Sequence, residues 1–157
     1  MIRPILPADT PGLLQLAEQT GVFKPLEVQT FGEVIDDYYA YTQAMGDRAV
    51  TYARDAKLLG FAYYATEDMT DRTWNLWWII VAKECQSAGI GSHLLRHAED
   101  DIRGQQGRVL FIETSSLPQY EPSRRFYTKH GYAQVALLPD YYTDGDDMLV
   151  FRKRLAP

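Results

Sequence analysis

Between Trp74 and Ile102 the chain switches its periodicity once, and the switch brackets two glycines. Trp74 to Ala82 is a run of aromatic and β-branched residues, the composition of a buried strand. Ile90, Leu94, Ala98 and Ile102 then recur every fourth residue, the spacing of one helix face. Gln86-Ser87-Ala88-Gly89-Ile90-Gly91 lies between them. Glycines there let the backbone approach a ligand closely and adopt angles that a side chain forbids. A helix start presents unpaired N–H groups and the positive end of the macrodipole. Strand, glycine loop and helix in this order therefore predict a phosphate cradle.

The loop lacks the lysine and length of a Walker A motif and the third glycine of a dinucleotide fingerprint. It resembles the Gln/Arg-x-x-Gly-x-Gly/Ala loop of the GNAT superfamily of acyl-CoA-dependent N-acetyltransferases, which wraps the pyrophosphate of coenzyme A. A second block, Ser123 to Tyr132 with Phe126-Tyr127 and His130-Gly131-Tyr132, follows the strand-like Val109 to Thr114. It resembles the superfamily's second signature, a short helix carrying Phe-Tyr and ending at Gly-Phe or Gly-Tyr. Gly131 suits the left-handed turn after such a helix. The resemblance covers the whole chain in outline, and its specific motifs occupy Trp77 to Tyr132.

The chain of 157 residues fits one domain, 1–157, long enough to bury a core without staples. A net charge of −5 disfavours a nucleic-acid partner held through phosphates. Cys85 is the single cysteine, so neither an intrachain disulfide nor a thiolate metal site is expected. His93, His97 and His130 form no clear ligand set; His93 and His97 lie four apart without a third ligand nearby and read as surface residues. The start, Met1-Ile2-Arg3-Pro4, is not that of a signal peptide, and no run is long enough to span a membrane. A cytoplasmic protein with no membrane partner is the expectation.

Ile2 to Leu6 reads as a short edge strand, and Pro7 to Pro11 opens a helix capped by Asp9 or Thr10 and ended by Gly21. Val22 to Glu27 reads as irregular, and Phe31 to Met45 as helical. Ala49 to Arg54 and Lys57 to Thr66 form a hairpin about Asp55-Ala56, and Glu67 to Arg72 is a polar turn into the next strand. A helical crossover should then place Arg108 to Thr114 parallel to that strand. Tyr132 to Leu138 and Met148 to Arg154 complete the sheet, joined through Pro139 to Asp146. The residues alone give a mixed α/β sheet with helices on both faces. The resemblance sharpens this to a mostly antiparallel sheet of six to seven strands around a central, splayed parallel pair.

The resemblance implies a reaction: acetyl transfer from acetyl-CoA, as co-substrate, to a primary amine of a small molecule or peptide, with no metal. Pantetheine would lie in the splay against backbone groups of Ile79 and Val81, one of which would also serve the thioester carbonyl. The pyrophosphate would rest on Gln86, Ser87, Ala88, Gly89, Ile90 and Gly91, with the Ser92 hydroxyl added. Tyr127 matches the family tyrosine near the sulfur, as a general acid or as packing along the cofactor. Glu113, at a strand end beside the cleft, is the leading general base, and Asp140, Tyr141 and Tyr142 come next. A water chain without a single base is the alternative. Tyr38, Tyr39 and Tyr41 either roof the acceptor pocket or belong to the core. The paired tyrosines near the end resemble those of ribosomal-protein N-terminal acetyltransferases, and a homodimer is compatible with the superfamily.

One departure stands out. Many relatives carry Asn-x-x-Ala ahead of Phe-Tyr, with Asn on coenzyme A, whereas this chain has Tyr120 and Ser123, bracketed by Pro118 and Pro122. Two other readings stay open: a silent acyl-CoA sensor of the same fold, and an unrelated α/β domain cradling another phosphate.

Overall fold

Two residues, Asp55 and Ala56, turn the chain through positive φ (51° and 62°), the geometry that a tight hairpin requires. They join β2 (Arg48–Arg54) to β3 (Lys57–Thr66) in the computed structural model, which describes residues 1–157. The other elements are β1 (Ile2–Pro4), α1 (Thr10–Thr20), α2 (Pro25–Asp37), β4 (Thr73–Val81), α3 (Ile90–Gly104), β5 (Val109–Ser115), α4 (Glu121–Lys129), β6 (Ala133–Thr143) and β7 (Asp146–Arg154). All seven strands form one sheet in the order β1-β2-β3-β4-β5-β7-β6, and only β4 and β5 run parallel. The expected sheet is thus present with its full seven strands.

Three boundaries differ from expectation. Helix α2 begins at Pro25, inside the segment read as irregular, because Pro fits the first helical turn and Glu27 accepts the Lys24 N–H at 2.9 Å. The helix does not run regularly to Met45: it passes into a π turn over Tyr38–Thr42, closed by Gln43 N–H to the Tyr38 carbonyl at 2.9 Å. Strand β6 extends to Thr143, with Pro139 and Asp140 absorbed into an irregular stretch of its ladder with β7. Asp9 does not cap α1 through its side chain. Its carboxylate instead accepts the Leu6 N–H at 2.7 Å and holds Arg3 at 2.7 Å.

Helices α1 and α2 cover the β1–β4 half of one face, where Phe31 meets Phe61 and Trp78, each with ring centroids 5.0 Å apart. Helix α3 packs on the opposite face through Ile90, Leu94, Leu95, Ala98 and Ile102, all buried. Truncating a fully buried leucine such as Leu94 to alanine costs about 2–5 kcal/mol. Helix α4 lies beside α3, with Phe126 close under Gly91. Terminal strand β6 is exposed along its whole length.

The feature that positions the site is where the parallel pair stops. β4 and β5 are paired from Thr73/Val109 to Leu76/Ile112 and no further. Beyond that point β4 stays with β3 (Trp78 to Tyr63, Val81 to Gly60), and β5 stays with β7 (Glu113 to Val150, Ser115 to Met148). Trp77 is the extra residue where the β3–β4 register shifts, a bulge that bends β4 away. The end of β5 is pulled the other way, since the Arg124 guanidinium donates to the Ser115 and Leu117 carbonyls at 2.8 and 2.9 Å.

Candidate active site

The gap between the strands exposes backbone groups on the β4 side. Ala82 N–H is committed to the Leu59 carbonyl on β3 at 2.9 Å. Strand alternation then turns the N–H and C=O groups of Val81 and Ile79 toward the gap. In agreement, the Val81 carbonyl accepts from Gln86 Nε2 at 3.4 Å rather than from β3.

The glycine loop closes one end of the gap. Ala88 donates its N–H to the Cys85 carbonyl, whereas the N–H groups of Gln86, Ser87 and Gly89 have no protein acceptor. The first helical bond of α3 is that of His93 to the Gly89 carbonyl, so Ile90, Gly91 and Ser92 contribute the unpaired N–H groups of a helix start. Gly89 sits at φ 81°, which a side chain would strain. A Cβ on Gly91 would lie 3.4 Å from the Phe126 ring and 3.5 Å from Val81 Cγ2, so a larger side chain would fill the space above the loop. A row of free donors over a glycine floor fits a pyrophosphate.

Ser92 brings an unexpected partner. Its Oγ lies 3.0 Å from Nε2 of His130, the residue that ends α4. His130 is held below its ordinary pKa, first by burial and then by Arg96, with Lys129 and Lys153 acting in the same sense against Glu99. The Lys153 ammonium donates to the His130 carbonyl and to buried Glu99, both at 2.9 Å, and Glu99 also accepts from Tyr132 Oη at 2.7 Å. The cradle is thereby tied to the core through α3, α4 and β7. His93 lies elsewhere, stacked near Tyr52.

Tyr127 is 5% exposed and packed against Phe126, Tyr132 and Phe151. Burial pushes its phenol pKa up, so the hydroxyl keeps its proton across the neutral range. Tyr39 Oη is the one fully enclosed side-chain atom without a partner. Tyr127 Oη has no protein partner either, and the residue is buried but for 5% of its surface.

Glu113 is the second residue of the pair proposed from sequence, and it projects on the α1/α2 face at the first position beyond the parallel pairing. Burial, and secondarily the charge of Glu67, holds its carboxyl above the usual range. Tyr142, pushed up to about 12 chiefly by burial, also feels Glu113, and Tyr120, likewise near 12, feels Glu27 and Asp146. These residues border one mouth of the gap. Tyr120 points toward the α1–α2 loop, its Oη 3.5 Å from the Val22 carbonyl, so the family asparagine position serves this face of the molecule. Asp140 is committed to its turn, accepting the Gly145 N–H at 2.8 Å, and Tyr141 is exposed.

Of the two readings of the tyrosine stripe, a pocket roof or core, the roof is not observed. Tyr38 is core, Tyr39 sits near Asp9 and Arg3, and Tyr41 is 66% exposed. The recess of about 440 Å³ beneath α2 is bounded instead by Asp37, Thr42, Asp47, Tyr63, Trp77 and Trp78. Nothing in local spacing marks these six, nor Arg124 or His130, because each acts across more than one element.

Comparison with known proteins gives a consistent result. The chain matches the acetyltransferase (GNAT) family over residues 15–132. An uncharacterized N-acetyltransferase of Methanocaldococcus jannaschii is 37% identical over 79 residues, 48% of this chain and 48% of that protein. That match spans about half the length of the relative. The crystal structure of a protein assigned to the GNAT family, from Desulfovibrio desulfuricans, has a TM-score of 0.94 and 35% identity, covering 99% of each chain. An aminoglycoside 6'-N-acetyltransferase solved with coenzyme A shares the fold at a TM-score of 0.77 and 17% identity, covering 100% of this chain and 98% of that one.

Proposed function

Because the chain belongs to the GNAT acetyltransferase family, we propose that it moves an acetyl group from acetyl-CoA to a primary amine by direct attack within a ternary complex. The observation that carries this reading is the parting of β4 and β5 beyond Leu76/Ile112, directly beside a loop of free N–H groups. Gln86 to Ser92 would hold the pyrophosphate, and the gap-facing groups of Ile79 and Val81 would hold the pantetheine arm. Acetyl-CoA supplies an activated thioester, so the protein need only orient, exclude water and move protons.

A backbone N–H aimed into the gap is a preorganised donor for the charge that develops on the thioester oxygen. Its benefit is the absence of reorganisation at the moment of reaction. Tyr127 Oη can donate a hydrogen bond to the leaving thiolate; its raised pKa keeps it protonated, and the sulfur, the weaker base, leaves as a thiolate that solvent protonates. Glu113 would take the proton of the incoming ammonium, directly or through water. A carboxyl held above its usual range is a stronger base than one at the ordinary value.

The test is thiol release from acetyl-CoA across a panel of small and peptide amines, with Tyr127→Phe in parallel. Turnover on at least one amine should fall on the order of a hundredfold in kcat in the variant, with KM for acetyl-CoA little changed. Saturable coenzyme A binding without turnover on any amine would replace transfer with a sensing role. Stabilisation by ATP or NAD but not by coenzyme A would remove both.

A further inference from the structure

The recess beneath α2 meets the gap at one residue, and its chemistry is selective. Trp77, one of its walls, is the bulge residue immediately after the last β4–β5 pair and is 44% exposed. In parallel register the next position on β5 is Glu113. The recess therefore starts where the strands part, across the gap from the carboxylate assigned above as base. Its lining contains two carboxylates, Asp37 and Asp47, and no lysine, arginine or histidine. Neither aspartate forms an ion pair. Asp47 accepts a hydrogen bond from Tyr63 Oη, and Asp37 has no side-chain partner.

Asp37 is exposed at the junction where α2 passes into the π turn that carries Thr42 into the recess. π turns often mark functional positions, since they sacrifice regular helix bonding to re-aim side chains. The remaining walls are Thr30 and Val34 of α2 and three aromatic residues, Tyr63, Trp77 and Trp78, whose ring faces attract cations. An anionic group here would meet two like charges and no counter-charge.

We propose that the acceptor carries a second cationic group, which docks in this recess between the aspartates and the indoles while its reacting amine reaches Glu113. This rests on the acetyl-transfer reading for the identity of the gap, and it narrows the acceptor class from any primary amine to a dication. Small diamines and peptides with a basic residue near a free N-terminus share that chemistry.

The experiment compares linear α,ω-diamines of three to eight carbons with n-alkylamines of matched length, and Lys- or Arg-containing tripeptides with their Ala counterparts. At least one cationic arm should exceed its matched monocation tenfold or more in kcat/KM, and the arm that does so identifies the source. That ratio, measured within each variant, should fall toward one in Asp37→Asn and Asp47→Asn and persist in Asp36→Asn, which removes a neighbouring exposed carboxylate outside the recess. Raising the salt concentration should also lower it. Equal kcat/KM for matched pairs, or a preference that survives the double aspartate variant, overturns the proposal. Calorimetric binding of the same compounds to the coenzyme A-saturated protein decides independently of turnover. Aspartate-dependent diamine or peptide binding without acetylation would sink the transfer reading and leave the dication site standing. Acetylation of monoamines without any advantage for dications would do the reverse.

Discussion

The two mouths of the gap are built from different materials. On the α3/α4 side the walls are backbone: six N–H groups from Gln86 to Ser92 without protein acceptors, and two glycines, Gly89 at positive φ and Gly91 facing Phe126 and Val81. On the α1/α2 side they are side chains, with Glu113 from β5, Trp77 from β4, Asp37 from α2 and Tyr120 from the entry to α4. A backbone site recognises what every acyl-CoA has in common and changes little with side-chain identity. A side-chain site can be rebuilt residue by residue while the sheet stays the same. The contrast teaches that fixed chemistry and variable specificity are separated here by the thickness of one sheet.

Closing the backbone mouth should produce the largest effect. Gly91→Leu would place a branched side chain where even a Cβ touches Phe126 and Val81. Coenzyme A affinity, measured by calorimetry, should fall a hundredfold or more. The far-UV circular dichroism should be unchanged, since Gly91 has ordinary negative φ at a helix start. If affinity survives, the loop is not the cradle.

The side-chain mouth should respond in rate rather than in coenzyme A binding. Glu113→Gln should lower kcat/KM for the amine on the order of tenfold to a hundredfold at neutral pH, with coenzyme A affinity intact. The pH profile supplies the sign. Glu113 must be ionised to accept a proton, so the rate in the native protein should rise with pH through a carboxyl pKa above the ordinary range. The variant should lose that limb. Because folding raises this pKa, the group's contribution to stability is present below the unfolded value and is lost as pH rises through the folded one. Activity and stability therefore move in opposite directions through that window. An unchanged limb in the variant would assign it to another base.

The same contrast governs what could be read from the sequence. The cradle was legible because its parts are adjacent: strand, two glycines and an amphipathic helix within thirty residues. The parallel pair followed from the crossover, whereas Tyr127 was proposed from the second signature block and Glu113 from the end of the strand between the blocks. The acceptor mouth was not legible in the same way. Asp37, Asp47 and Trp77 meet only after a helix, a hairpin and a bulge have brought them together. Tyr38, Tyr39 and Tyr41 left two readings open because a helical stripe looks the same whether it faces a pocket or a core, and the π turn altered its phase. Pro25 hid the start of α2 because Pro reads equally as loop or first turn. The contact of His130 with Ser92 was not legible because the two residues are 38 apart in sequence.

That pair yields the smallest and most discriminating prediction. At neutral pH His130 is uncharged, since burial, Arg96, Lys129 and Lys153 together outweigh Glu99. Ser92 Oγ can donate its proton to Nε2 or receive one from it, and an anion above the loop favours the second arrangement. It leaves the serine hydroxyl free to donate to phosphate. Binding should then draw a proton onto His130, so affinity should rise a few-fold as pH falls from about 7.5 to about 5.5. Stability should move the other way. A folded pKa below the unfolded value contributes fully above about 6.5 and is lost as pH falls through the folded value. Calorimetry with dephospho-coenzyme A, which lacks the titrating monoester, isolates the protein's share. His130→Asn should bind a few-fold more weakly at low pH and show a flat profile. A pH response that survives the substitution would transfer the proton uptake to another group and leave His130 as a simple tie between α3 and α4.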